Sequence, residues 1–112
     1  MKRVYLSLPI KDTGLTTKQR IEYANEIRRL LELRYDANNE NVIVITPFDV
    51  NENEDKESYA RKMGNDIEAL LECDAIYLCE GWQNSKGCMA EFEVARIYGK
   101  EIMFEKQWQH QF

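Results

Sequence analysis

The chain has 112 residues, 44% of them hydrophobic and 31% charged, which is enough apolar material for one core and too little for two. Its formal net charge is −5, so it lacks the basic surface with which a general nucleic-acid binder displaces counterions. Three cysteines and a single histidine, His110, make no disulfide framework and no zinc-ligand spacing, and a Ser-His-Asp or Cys-His site would have to use that one histidine.

In chain order, Val4–Leu8 is an apolar run with one tyrosine and reads as a buried strand. Pro9–Gly14 is a loop of turn residues. Thr16 or Thr17 caps a long helix whose apolar positions Ile21, Ala24, Ile27, Leu30 and Leu31 recur at spacings of three and four, and Asn38-Asn39 closes it. Val42–Ile45 is a run of four β-branched residues and is expected to be a fully buried strand. Pro47 ends it, and Asn51–Asp55 reads as a polar loop. A second helix is expected from about Glu57 to Glu72, with Ala60, Met63, Ile67, Leu70 and Leu71 on its apolar face. Ala75–Cys79 is a third strand and Gly81–Gly87 a loop. A third helix runs from about Lys86 to Tyr98, with Gly99 placed for a left-handed C-terminal residue. Ile102–Phe104 is a fourth strand, and a tail follows at 106–112. Residues 40–80 carry three basic and eleven acidic side chains, concentrated near Asn51–Glu57, which reads as a solvated loop.

The alternation β-α-β-α-β-α-β with continuous apolar strands predicts an α/β fold: a three-layer, flavodoxin-like or Rossmann-like domain over residues 1–105. Right-handed crossovers favour a four-stranded parallel sheet of order 2-1-3-4, with the first helix on one face and the other two opposite. The chain reverses direction between strands 1 and 3, and ligands bind at the carboxyl ends of strands at such a point. Ser7–Gly14 and Glu80–Gly87 therefore flank the expected site. No apolar run approaches the ~20 residues that span a bilayer. The N-terminal apolar stretch is too short for a signal peptide, so the expected location is cytoplasmic and no membrane partner is expected.

Three features carry chemistry. Ser85-Lys86-Gly87 opens the third helix, where orphan N–H groups favour an anion and a glycine admits a ligand; it also reads as an ordinary serine cap with a packing glycine. Glu91 lies about one turn further in, beside the same crevice, whereas Glu93 faces elsewhere. Asp66 stands between the core positions Met63 and Leu70, where aspartate is a poor mid-helix residue and needs a compensating partner such as Lys62. Two carboxylates at one crevice suit glycosidic chemistry, one at the sugar carbon and one handling the leaving group's proton.

Ser85-x-Gly87-x-x-x-Glu91, preceded by Asp66 and Cys73-Asp74-Ala75-Ile76, resembles the nucleoside 2-deoxyribosyltransferase superfamily. The motif is most like that of its deoxynucleoside 5′-monophosphate N-glycosidases, since transferases of free nucleosides usually carry aspartate in place of Ser85. Over residues 2–105 the chain is similar to an uncharacterised bacterial and phage branch, through Tyr5-Leu6-Ser7-Leu8-Pro9-Ile10, Pro47-Phe48-Asp49 and Gly81-Trp82. It departs from the superfamily at Leu8 and Pro9, where glycine and serine are usual, and at Met89 and Glu93.

The resemblance implies cleavage or transfer at the N-glycosidic bond of a deoxynucleoside or its 5′-monophosphate. Glu91 would be the nucleophile at C1′, Asp66 would assist departure of the base, and Tyr5 would lie near the sugar and Glu91. Ser85, Gly87 and Lys11 would hold the phosphate. No cofactor or metal is implied. The other reading of the same anion site is a non-catalytic nucleotide-sensing module; a flavodoxin-like electron carrier is disfavoured, because no hydroxyl-rich phosphate loop follows strand 1. Trp82, Trp108 and Phe112 have no obvious intramolecular home, and proteins of the superfamily share sites between subunits, so a homodimer or higher oligomer is expected.

Overall fold

Strand β1 (Lys2–Ser7) is the centre from which the molecule is built. In the computed structural model, which describes residues 1–11, 13–51 and 57–106, β1 pairs in parallel with β2 (Val42–Ile45) on one side and β3 (Ala75–Leu78) on the other. Strand β4 (Glu101–Phe104) extends the sheet beyond β3, giving the order β2-β1-β3-β4. The expected parallel sheet and strand order are found. In register, Val4 lies against both Val44 and Ala75, and Tyr5 against Ile45 and Ile76.

Helix α1 (Thr17–Ala37) covers one face. Thr16 caps it through a capping box with Gln19, and Asn38 closes it. The buried stripe runs Ala24, Ile27, Leu31 and Tyr35. It is one side chain wide, so Leu30 falls outside it and Ile21 lies a turn before it; both are exposed, contrary to the sequence expectation. Strand β2 is likewise less buried than its β-branched run implies. It is an edge strand, and Ile43 is exposed.

A helix that periodicity does not reveal follows β2. Pro47–Val50 forms one short turn of helix, α2, opened by Thr46 in a reciprocal capping box with Asp49 and by Pro47 in the first turn. Helix α3 (Tyr59–Leu71), capped by Ser58, and helix α4 (Lys86–Ile97), capped by Ser85, lie on the second face of the sheet. Tyr98 ends α4, and Gly99 follows at φ +70°, as its position requires.

Trp82 stands in a short 3-10 turn (Trp82–Asn84) after β3. It packs on Phe92 and Phe104, with ring centroids 4.9 and 5.7 Å away, so it does have an intramolecular home. Trp108 and Phe112 lie outside the described residues. Among the described residues, no helix is long and apolar enough to cross a membrane.

Candidate active site

Side chains alternate across a strand, and in β1 that alternation separates two environments. Val4, Leu6 and Leu8 join the apolar core under α1, while Tyr5 belongs to the core under α3 and α4. Ser7, two residues on from Tyr5, shares its face. Both are fully buried. The side chain that meets them is Glu91, in the second turn of α4 and 4% exposed. Its Oε2 accepts a hydrogen bond from the Tyr5 hydroxyl at 2.8 Å, and its Oε1 accepts one from the Ser7 hydroxyl at 2.6 Å.

Burial sets the electrostatics here. Loss of solvent pushes the Glu91 carboxyl up to about 7, against the pull of the Ser7 and Tyr5 hydrogen bonds; the charge of Asp66 pushes the same way as burial. Burial, then the carboxylates of Glu91 and Asp66, raise the Tyr5 hydroxyl well above its ordinary value, which keeps it a donor. The Cys88 thiol is also raised, chiefly by burial, while the Ser7 and Ser85 hydroxyls within its reach pull it down.

Asp66 is buried in α3. Its Oδ1 accepts a 2.8 Å hydrogen bond from Asn51 Nδ2, which meets the need for compensation that the sequence posed. Asn51 is the C-terminal cap of α2, and its Oδ1 in turn accepts from Asn65 at 3.2 Å. The short helix after β2 thus delivers the residue that holds Asp66.

Asp66 and Glu91 line one cavity of about 470 Å³ with Lys11, Tyr59, Met63, Ser85, Gly87 and Cys88. Tyr5 stands behind Glu91. Ser85 caps α4 by accepting from the Cys88 N–H at 3.2 Å, and its hydroxyl still carries a proton to donate. A Cβ at Gly87 would stand 3.5 Å from the Tyr59 hydroxyl and 3.7 Å from Met63 Sδ, so the glycine keeps the cavity open there. Lys11 Nζ lies 4.3 Å from the centroid of the Tyr59 ring. Glu93 points away and pairs with Arg96 on the surface. A second cavity of about 430 Å³ adjoins the first across Leu8, Lys11, Asn84 and Ser85, and is bounded further out by Arg20 and Tyr23.

Ser7 and Asn51 are the participants that the sequence reading did not single out. The signal for Ser7 was a hydroxyl two residues after Tyr5 on one strand face. For Asn51 it was the Thr46-Pro47-x-Asp49 cap, which marks a helix ending at that asparagine. Among the described residues, no group of three His, Cys, Asp or Glu side chains is placed to hold a metal ion.

Chemically, the site offers an anionic group held at a wall, a second buried acid, and a capped helix start at which an anion is favoured. No curated protein matches the sequence. The fold is similar to that of a 2-desoxiribosyltransferase from Leishmania mexicana, with a TM-score of 0.66 at 18% identity. The match covers 93% of this chain but only 63% of that one, so this chain spans less than two thirds of its length. A family model matches residues 2–104, and the chain belongs to that family, described as a domain of unknown function (DUF4406).

Proposed function

We propose that the protein cleaves or transfers the sugar at the N-glycosidic bond of a 2′-deoxynucleoside or its 5′-monophosphate, with Glu91 as nucleophile. The observation that carries this reading is the buried Glu91 carboxylate, held by two hydroxyls and sharing a cavity with Asp66. The fold it shares with a deoxyribosyltransferase supports it.

Breaking the bond builds positive charge on the sugar ring. The ionised Glu91 beneath C1′ stabilises that charge and then bonds to the carbon, forming a glycosyl ester as the base departs. The base leaves with the bonding electron pair and is protonated by a water molecule that the Asp66 carboxylate orients, the proton passing from that water to the base. Water, or a second base, then attacks C1′ and releases Glu91, giving hydrolysis or exchange respectively. In this reading Tyr59 and Met63 flank the base, and Ser85, the α4 start at Gly87 and Lys11 hold the 5′-phosphate. A second copy of the chain completes the open crevice; light scattering then gives a mass above the 13.3 kDa of one chain.

Incubation with a panel of deoxynucleosides and their 5′-monophosphates tests the reading. The expected result is free base from at least one. Binding of a nucleotide without release of base would make the protein a sensor and not an enzyme.

A further inference from the structure

We propose that Ser7 is a positioning residue for Glu91, fixing one carboxylate oxygen while Tyr5 fixes the other. The proposal rests on the reading of Glu91 as nucleophile.

The terminal torsion of a glutamate is broad, so a single hydrogen bond leaves its carboxylate free to turn. Here the two oxygens meet two different donors, Tyr5 on Oε2 at 2.8 Å and Ser7 on Oε1 at 2.6 Å. Both donors stand on β1, an interior strand of the sheet, and both are fully buried. Residues two apart on a strand face the same way, so the long tyrosine and the short serine reach one carboxylate from two points of a rigid base. Two anchors on opposite oxygens define its plane.

The Ser7 bond is also charge-assisted, and such bonds favour the ionised acid. The other groups facing Glu91 are Asp66 from α3, Cys88 from α4 and Tyr5 from β1, with Lys11 and Lys86 lining the same cavity. Among the described residues, Tyr5 and Ser7 are the two whose hydrogen bonds to the carboxylate hold it in its charged form. Removing Ser7's hydroxyl therefore weakens both the orientation and the ionisation of Glu91.

The test is Ser7→Ala, with Ser7→Cys as a near-isosteric second variant should the alanine fail to fold. The Glu91 carboxyl is followed by carbon-13 NMR through a pH titration, which needs no turnover. The expected result is a midpoint raised by about one unit in Ser7→Ala and by less in Ser7→Cys. The acid limb of kcat/KM moves by the same amount, and kcat on the alkaline plateau falls about tenfold with KM unchanged. A midpoint that stays in place in folded Ser7→Ala, whether or not Tyr5→Phe moves it, would overturn the proposal. If the wild-type protein releases no base yet the midpoint moves as expected, the nucleophile reading falls and the Ser7–Glu91 coupling stands.

Discussion

Glu91 and Glu105 are both buried carboxylates, 4% and 5% exposed, and each accepts a hydrogen bond from a tyrosine hydroxyl. They lie at the same end of the sheet and differ in what lies beyond them. Glu105 accepts from Tyr23 on α1 and from the Glu80 backbone N–H at 2.9 Å, so it ties the end of β4 to the loop after β3 and to the first helix. Among the described residues, Glu91 takes its hydrogen bonds from β1, and its other side borders a cavity of about 470 Å³ shared with Asp66. Burial with a tyrosine partner is common to both. What sets Glu91 apart is the open cavity on the far side of its carboxylate, which Asp66 also lines.

Exchanging each glutamate for its amide is expected to separate the two most strongly. Glu91→Gln is expected to lower base release at least ~10³-fold while the far-ultraviolet spectrum stays that of the folded protein. Glu105→Gln is expected to keep turnover within a few-fold and to lose about 1–3 kcal/mol of stability in denaturant titrations, because hydrogen bonds to its charge are weakened. The reverse pattern would exchange their roles.

Asp66→Asn is expected to slow release about 10²-fold, with the largest loss for substrates whose base is the poorest leaving group. Steady-state rates across a series of bases read this out. A uniform loss across the series would reduce Asp66 to a structural acid held by Asn51.

Stability sharpens the contrast further. Folding raises the Glu91 carboxyl from 4.5 to about 7, so the fold favours its protonated form. The stability this confers is complete below the unfolded value and is lost as pH rises through about 7. Glu91→Gln, which stays neutral, is expected to be more stable than wild type at pH 8, by up to about 3 kcal/mol, with the advantage gone near pH 4. Thermal melts of the two proteins at both pH values measure it. The smallest expected effect is at Ser85. Ser85→Asp places a negative charge at the start of α4 and is expected to weaken a 5′-monophosphate about tenfold, with little change for the free nucleoside, in binding titrations.

The sheet was readable from the sequence because each strand is a short continuous apolar run between helical patterns, and right-handed crossovers leave few ways to order four of them. The fine placement of burial was not. Val42–Ile45 is as apolar as a central strand, yet it forms an edge and exposes Ile43. Helix α2 has four residues, too few for a 3.6-residue period to register, and only its cap betrays it. Asp66 stood out because an aspartate inside an apolar stripe needs a partner. Asn51, 15 residues earlier, could not be paired with it without the turn that α2 makes. Ser7 and Glu91 are separated by 84 residues, and a small hydroxyl at a strand end carries no periodic signal of its own. Trp82 looked stranded because its two aromatic neighbours come from α4 and β4.

The decisive measurement is the pH dependence of base release by the wild-type protein. With Glu91 as an ionised nucleophile whose carboxyl titrates near 7, kcat/KM is expected to rise with pH through about 7 toward a plateau, and Glu91→Gln is expected to release no measurable base at any pH. Release of base by Glu91→Gln at the wild-type rate, or a wild-type profile flat across that range, would rule out Glu91 as the ionised nucleophile.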